Sequence, residues 1–569
     1  MAESKLEAVP VPEKKDVKGE IENTRHNLTV NPRLGGGIRG DEIWSENVMK
    51  VVLARKEARR KEKAIESEEI PLPLNYMVCK FKLPENVRNY SLEGHQELAE
   101  FIDFLKNNIQ KLPVGLRFQM AVLVGGHWTV VDNMVTTKGI SSFNLDSVMD
   151  SKAYQFFMIY LTNLQEAHLL NASYAYRVSV PQGPFEKTPK EKLANMIQSD
   201  WVSCGIFMVD HLSFLSRTDV FHHLKSSMGE SQYQAFGRAD VPPSLAGIFR
   251  LAQMEELISK ISKKQSIPAV TRKGKTLADV KKQINPEENT EYITANARNK
   301  GAKILDEAEK YVDSCEEEIF TAIFSRSLKD KLSVYVEHYS QAVNDLVAFI
   351  YDRLPECKDL PDEDKIKLME ALHQIILTED SDQDKIISIN DQLMSVMQHS
   401  NEAASYRLVA AVISYTALHI KDNQELWQFY QKIATHPLSE LLQSHNNWFF
   451  KMPSKLTPAL FSYIEKVVKT QMLLNGLEGL KEDHTEQLDF LEDGVIQSFL
   501  KKPRVFEASE TKSIQLLNQL KEMGNEKSEL KSIELQKIEK DLEKRREDVL
   551  KEFHMETLEI VPEDTPSLK

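Results

Sequence analysis

The chain has 569 residues, of which 41% are hydrophobic and 28% charged, an ordinary composition for a globular protein of two or three domains. Its net charge of −14 disfavours a general nucleic-acid binder, which is more often basic. The four cysteines form no CxxC or Cys/His spacing, so we predict neither a disulfide scaffold nor a metal site. The amino-terminal sequence lacks an apolar signal-peptide core, and no apolar run reaches the length of a membrane span.

The composition divides the chain into four predicted regions. Residues 1–72 are polar and contain the run RKEARRKEK, which predicts a disordered or charged-helical region with a solvated basic face. Residues 73–312 mix strand and helix patterns and predict an α+β domain, a mixed sheet flanked by helices. Residues 313–522 are rich in helix formers at helical spacing and predict an all-helical domain. Residues 523–569 predict a charged helix and tail, either a short coiled coil or a solvated helix.

The second region begins with β-rich runs. FQMAVLV (118–124) and HWTVVD (127–132) are separated by two glycines, which predicts a β-hairpin. ISSFNLD (140–146) predicts the next strand, and LNASYAYRVSVP (170–181) predicts another because its apolar side chains alternate. CGIFMVDHLSFL, which begins at Cys204, predicts a helix.

Four residues in these elements predict a thiol catalytic site. His127 begins one strand and Asp146 ends the next, so adjacent antiparallel strands would bring the carboxylate beside the imidazole and fix its tautomer. Cys204 begins a helix, whose amino-terminal partial charge favours a thiolate. Gln198 can offer an amide N–H to an oxyanion, and Gly205 leaves room for a substrate. Each residue alone has a structural interpretation, but their order and contexts together favour catalysis.

The order of these residues resembles that of clan CE, the ubiquitin-like-protease clan of cysteine enzymes. HWTVVD resembles its His-Trp strand, FNLDS its acid-bearing strand, and QSDWVSCGIF its Gln-x5-Cys-Gly block. Over residues 90–312 the chain is also similar to the YopJ family, through GLRF (115–118), VPPSLAGIFRLAQMEELI (241–258) and the basic segment 268–312 that contains RKGKTL.

The YopJ resemblance implies a secreted bacterial virulence effector that acts in the host cell cytoplasm. It implies transfer of acetyl from acetyl-CoA to Ser, Thr or Lys of a host protein, such as a kinase-like target, through an acyl-cysteine. It also implies activation by inositol hexakisphosphate, which needs several converging cations. A solvated basic face is the alternative interpretation of the same cations. The residues implied as cofactor contacts are Arg117, Arg272, Lys273, Lys275, Arg298, Lys300 and Lys303.

Two other functions stay open at this point. The first is a clan CE cysteine protease that removes ubiquitin or a ubiquitin-like modifier, since its first step is also thiolate attack on a carbonyl. Trp128 and Asp146 are typical of that branch, and the stretch from Arg250 reads RLAQMEE where the YopJ family has a His-Thr-Gln block. The second is a non-enzymatic adaptor that binds partners through its helical carboxy-terminal half.

Overall fold

The chain separates by packing into two compact units, Met1–Tyr339 and Ser340–Lys569. The division into four regions at residues 72, 312 and 522 stays a prediction. The computed structural model describes residues 11–29, 44–67, 74–85, 90–177, 195–200, 202–253, 257–258, 276, 278–279, 282, 290–444, 460–481, 486–501, 515, 536–544 and 546–547.

Six strands form one mixed sheet in the first unit, and they lie side by side in chain order. Strands β1 and β2 are parallel, β2–β3 and β3–β4 are antiparallel, and β4, β5 and β6 are parallel. The strands are β1 (Tyr76–Phe81), β2 (Arg117–Val124), β3 (His127–Thr136), β4 (Gly139–Leu145), β5 (Leu170–Tyr176) and β6 (Gln234–Phe236). The α+β class is therefore confirmed for this unit.

The predicted hairpin and the strand after it are confirmed as β2, β3 and β4. These three strands are buried along almost their whole length, and their buried residues include hydrogen-bonded polar side chains such as Asn133, Ser142 and Asn144 as well as apolar ones. Strand β5 ends at Tyr176, earlier than predicted, and residues 178–181 lie outside the described residues.

Helices cover this sheet. In chain order they are α1 (Lys14–Thr29), α2 (Glu46–Ser67), α3 (Gln96–Asn108), α4 (Ser151–Glu166), α5 (Cys204–Leu215), α6 (Val220–Met228), α7 (Thr290–Ser314), α8 (Glu317–Ser325) and α9 (Leu328–Glu337). The predicted helix at Cys204 is confirmed as α5, which packs against β2 and β3. Helix α4 packs against β3 as well.

The amino-terminal helices α1 and α2 pack with α7. Helix α1 occupies part of the stretch whose polar composition predicts disorder. It is ordered by an apolar stripe at Val17, Ile21 and Leu28, all of which are buried. Its Arg25 guanidinium donates a 2.6 Å hydrogen bond to Glu309 on α7. A short apolar stripe is therefore enough to dock a polar segment when a partner helix supplies the other face.

The described part of the second unit is helical. Its helices are α10 (Gln341–Arg353), α11 (Asp362–Ile376), α12 (Asp382–Met397), α13 (Ala403–His419), α14 (Asn423–Thr435), α15 (Leu438–Ser444), α16 (Leu460–Lys481), α17 (Glu486–Leu491) and α18 (Gly494–Lys501). Helix α13 is buried on nearly all sides and packs against α10, α12 and α16. Across the described ranges, no helix combines the length and apolarity that a membrane span needs.

Part of the predicted carboxy-terminal helix is described, at residues 536–544 and 546–547, and is helical. Its Ile538 and Leu542 side chains are buried, and Arg546 donates a 3.4 Å hydrogen bond to the carbonyl oxygen of Leu418 on α13. This part of the helix therefore packs within the second unit, and the coiled coil or solvated helix stays a prediction for the rest of residues 523–569.

We predict that Gly139→Ala destabilises the first unit by about 2–3 kcal/mol. Gly139 has a φ of +122°, and an added Cβ would overlap the carbonyl oxygen of Leu169. That oxygen accepts the Ile140 N–H at 2.6 Å, so the start of β4 would have to shift. Calorimetry of the full chain measures the effect on the transition of this unit.

The matched control is Gly19→Ala on α1, where an added Cβ meets no atom within 4 Å. A helical Ala in open space is expected to be neutral or to stabilise by up to about 1 kcal/mol. Equal transitions for Gly139→Ala and the unsubstituted chain would contradict the close approach at Leu169.

Candidate active site

Three side chains meet where β3 begins and β4 ends. His127 is the first residue of β3, and Asp146 directly follows β4, its antiparallel neighbour. The His127 Nε2 lies 3.1 Å from each carboxylate oxygen of Asp146. Cys204 begins α5, which packs on β3, and its thiol is a hydrogen-bonding partner of the same imidazole. The structure therefore brings together the predicted nucleophile, base and acid.

The charges of this group depend on one another. Burial lowers the pKa of His127, but the Asp146 carboxylate and the Cys204 sulfur outweigh it and hold that pKa well above its ordinary value. Burial raises the pKa of Asp146, but the His127 ring and the Val148 N–H, at 2.8 Å, hold that pKa below its ordinary value. His127 and Asp146 therefore form a buried ion pair that lies beside the Cys204 sulfur.

The loop before Cys204 is organised by Asp200. Its Oδ1 accepts hydrogen bonds from the backbone N–H groups of Val202, at 3.1 Å, and Ser203, at 2.8 Å. Its Oδ2 accepts the Ser203 hydroxyl at 2.8 Å and lies 3.9 Å from the Arg298 guanidinium of α7. These bonds close a turn that delivers the chain into the first turn of α5.

Gln253 holds the same loop from outside it, and no sequence pattern pointed to this residue. Its Oε1 accepts the N–H groups of Ser199, at 2.8 Å, and Asp200, at 3.3 Å. Its Nε2 donates to Asp200 Oδ2 at 3.1 Å, and its backbone N–H donates to Ile197 at 2.8 Å. The residue belongs to the RLAQ stretch, but a glutamine 53 residues from its partner gives no local signal.

Gln198 is buried beside the acid-bearing strand. Its Oε1 accepts the Ser147 hydroxyl at 2.7 Å, and its Nε2 donates to the carbonyl oxygen of Asp200. One amide hydrogen is thereby engaged within the protein, and the Gln198 side chain is buried. Its role as an oxyanion donor stays a prediction.

The space beside Gly205 is filled by the protein itself. A Cβ on Gly205 would lie 2.6 Å from the indole ring of Trp44, which is fully buried. The expectation that this glycine makes room for a substrate is therefore wrong: it makes room for Trp44. The Trp128 indole N–H donates to the carbonyl oxygen of Trp44 at 3.0 Å, so Trp128 also packs in the interior.

A second feature lies farther along α5, where cationic side chains from several segments lie near Asp210, Ser213 and Ser216. We call them the cation cluster: Lys56 and Arg60 of α2, Arg217, Arg250, and Lys300 of α7. Arg250 and Lys300 both contact Asp210, and they hold its pKa well below its ordinary value although burial raises it. The run RKEARRKEK contains Lys56 and Arg60, so part of it faces inward rather than forming only a solvated face.

The cation cluster groups five cations with the Asp210 carboxylate. Burial lowers the pKa of Lys56 to about 7, Asp210 opposes the shift, and Lys300, Arg60 and Arg217 add to it. Several cations held close together are the kind of site that an anion prefers.

The predicted cofactor contacts separate into several environments. Lys300 belongs to the cation cluster, Arg298 faces Asp200, and Lys303 is exposed on α7. Arg117 instead forms an ion pair with buried Asp132 and donates to the carbonyl oxygens of Leu215 and Thr218, both at 3.0 Å, so it ties β2 and β3 to the end of α5. Arg272, Lys273 and Lys275 lie outside the described residues.

No metal site accompanies these features in the part of the chain that the structure describes. No group of three or more His, Cys, Asp or Glu side chains is placed there to hold a metal ion. The reactive groups that the structure does bring together are a thiol, an imidazole and a carboxylate.

We predict that Asp146→Asn slows alkylation of Cys204 by iodoacetamide about 10-fold or more at about pH 6, with little change at about pH 9. Without the carboxylate, burial lowers the pKa of His127. The ring is then neutral at about pH 6 and no longer supports the nucleophile. Peptide mass spectrometry measures the rate. Burial raises the pKa of Cys79, Cys315 and Cys357, so these thiols contribute little in acid.

The control for that substitution is Asp103→Asn, which removes an exposed carboxylate from α3. It is expected to leave the ratio of the two alkylation rates unchanged. Equal ratios for Asp146→Asn and the unsubstituted chain would show that the carboxylate does not support the thiolate.

The comparisons with known proteins include a distant structural likeness. No family model matches the chain, and no curated protein matches it. A solved structure described as "AvrA delL154 with IP6, CoA" matches with a TM-score of 0.33 and 14% identity, over 52% of this chain and 98% of that chain.

Proposed function

We propose that this protein is a thiol-dependent acetyltransferase, which moves acetyl from acetyl-CoA to Ser, Thr or Lys of a protein substrate through an acyl-cysteine. The observation that carries the proposal is the meeting of Cys204, His127 and Asp146 at the start of α5, with His127 bonded to both partners. A buried imidazolium beside a thiol is the arrangement that activates a nucleophilic cysteine.

In the first half-reaction the Cys204 thiolate attacks the thioester carbonyl of acetyl-CoA. The tetrahedral intermediate collapses, the carbon–sulfur bond to coenzyme A breaks, and the His127 imidazolium gives its proton to the leaving thiolate. The product is acetyl-Cys204 and free coenzyme A. Asp146 holds the His127 ring with its other nitrogen toward the sulfur throughout.

In the second half-reaction His127 is neutral and takes a proton from the acceptor hydroxyl or amine. The acceptor attacks the acetyl-Cys204 carbonyl, and the bond from carbon to Sγ breaks. Cys204 leaves as a thiolate beside the imidazolium, which restores the starting ion pair. One thioester is exchanged for one ester or amide, and no oxidant is needed.

The cation cluster supports the second part of the proposal, activation by inositol hexakisphosphate. Its five cations come from four segments, and Lys56, Arg250 and Lys300 interact with the Asp210 carboxylate, an arrangement that suits an anion with several phosphate groups. Asp210 and Cys204 lie six residues apart on α5, about 9 Å along its axis, so the carboxylate that these cations face and the nucleophile share one rigid helix.

The protease alternative uses the same nucleophile, base and acid, and Trp128, Asp146 and the RLAQMEE stretch are the sequence features that favour it. Trp128 is 1% exposed and bonded to Trp44, so in this fold it packs in the interior. The further expectation, that the protein is a secreted effector acting on a host protein, belongs to this proposal and rests on the sequence resemblance.

We predict that incubation with acetyl-CoA and inositol hexakisphosphate adds acetyl groups to the intact protein, as measured by mass spectrometry. Cys204→Ala and His127→Ala are expected to reduce the adducts about 100-fold or more, since each removes a reacting group. Equal adducts on Cys204→Ala would contradict the acyl-cysteine. If no adduct forms and Cys204 instead reacts with a ubiquitin probe carrying a carboxy-terminal electrophile, the protein is a protease.

The same assay tests the cation cluster. The double variant Arg250→Ala, Lys300→Ala is expected to reduce the stimulation by inositol hexakisphosphate about 10-fold or more, because two charge-assisted contacts are lost. Lys310→Ala is the control, since Lys310 is exposed and lies ten residues, about 15 Å, farther along α7. Equal stimulation of both variants would place the activator elsewhere.

A further inference from the structure

Trp44 lies between the chain beside Cys204 and the chain beside His127. It is fully buried just before α2, although the composition of residues 1–72 predicts a disordered or solvated region. Its indole N–H donates to the carbonyl oxygen of Val202 at 3.0 Å. Its own carbonyl oxygen accepts the Trp128 indole N–H at 3.0 Å, and its ring fills the space beside Gly205.

These three contacts touch the chain on either side of the reacting groups. Val202 and Gly205 flank Cys204, and Trp128 directly follows His127. Cys204 and His127 are 77 residues apart in sequence and stand on different elements, so their separation depends on what joins those elements. Trp44 is hydrogen-bonded to Val202, which precedes Cys204, and to Trp128, which follows His127. Its ring packs against Gly205 on the other side of Cys204.

We propose that Trp44 is a positioning residue, which fixes the Cys204 sulfur against the His127 imidazole by holding the chain next to each of them. The inference deepens the proposed function, because it assigns a residue outside the predicted catalytic domain to that site. Trp44 contacts no reacting atom itself. It acts through the Val202 carbonyl, the Gly205 backbone and the Trp128 indole.

The fit between Trp44 and Gly205 is specific in shape. The nearest indole atom lies 2.6 Å from the position of a Gly205 Cβ, and the next lies 2.7 Å away. Any other residue at this position would displace the ring or the first turn of α5. A glycine directly after the nucleophile is therefore required by Trp44, and the two residues should behave as a coupled pair.

Trp44 is also joined to the cation cluster by a single helix. Helix α2 begins two residues after Trp44 and carries Lys56 and Arg60, about 15 Å and about 21 Å along its axis from that end. The amino-terminal segment thus reaches both the nucleophile and the cluster. This placement gives a physical role to a region that otherwise lacks one.

The test is the ratio of Cys204 alkylation rates at about pH 6 and about pH 9 in the full chain. Trp44→Phe keeps an aromatic ring but loses the N–H donor, and is expected to lower this ratio about 5-fold. Trp427→Phe on α14 is the matched control, because it removes the same atoms from a tryptophan of the other unit. A purely structural Trp44 would lower thermal stability and leave the ratio unchanged, which would overturn the proposal.

A double-mutant cycle tests the pairing with Gly205. Gly205→Ala alone is expected to lower the same ratio about 10-fold, because its Cβ displaces the Trp44 ring. In a Trp44→Ala background the added methyl group has room, so Gly205→Ala should lower the ratio of alkylation rates little further. Equal losses in both backgrounds would overturn the pairing.

The outcomes separate this inference from the proposed function. If the unsubstituted chain shows no Cys204 reactivity at about pH 6, the thiolate of the proposed function fails. If that reactivity is present but Trp44→Phe and Gly205→Ala both retain it, only the positioning role of Trp44 fails. If Trp44→Ala does not fold, the ratios for Trp44→Phe and Gly205→Ala decide.

Discussion

The Asp146 carboxylate beside the His127 ring is the interaction on which the rest of the candidate site depends. Burial alone would leave this imidazole neutral, and a neutral imidazole does not stabilise a thiolate. The carboxylate reverses that balance because the antiparallel register of β3 and β4 sets the end of one strand beside the start of the other. The sheet therefore supplies the charge state, and α5 supplies the nucleophile.

The rest of the first unit holds that nucleophile in place. Asp200 and Gln253 close the loop before Cys204, and Trp44 supports its other side. Helices α2 and α7 bring cations to Asp210 on the same helix that begins with Cys204. The amino-terminal and the α7 segments thus enclose the start of α5, although they are far apart in sequence.

The hairpin, the acid-bearing strand and the helix at Cys204 can be predicted from the sequence alone, because strand alternation, two glycines and a helical run are local signals. The pairing of His127 with Asp146 can be predicted from the same local signals, since adjacent strands need no further information. The role of Trp44 cannot be predicted in this way, because its partner Val202 lies 158 residues away in the sequence. Arg117 and Gly205 also could not be interpreted from the sequence. An arginine can bind an anion and a glycine can make room for a substrate, but in the fold Arg117 pairs with Asp132 and Gly205 packs against Trp44.

The measurement that tests the central claim most directly is the ionisation of His127 in the unliganded protein. Nitrogen chemical shifts of the His127 ring can be recorded across pH in the unsubstituted chain and in Asp146→Asn. We expect an imidazolium that persists well above about pH 6.5 in the unsubstituted chain and that loses its proton at a lower pH in Asp146→Asn. A neutral His127 ring at neutral pH in the unsubstituted chain would contradict the claim.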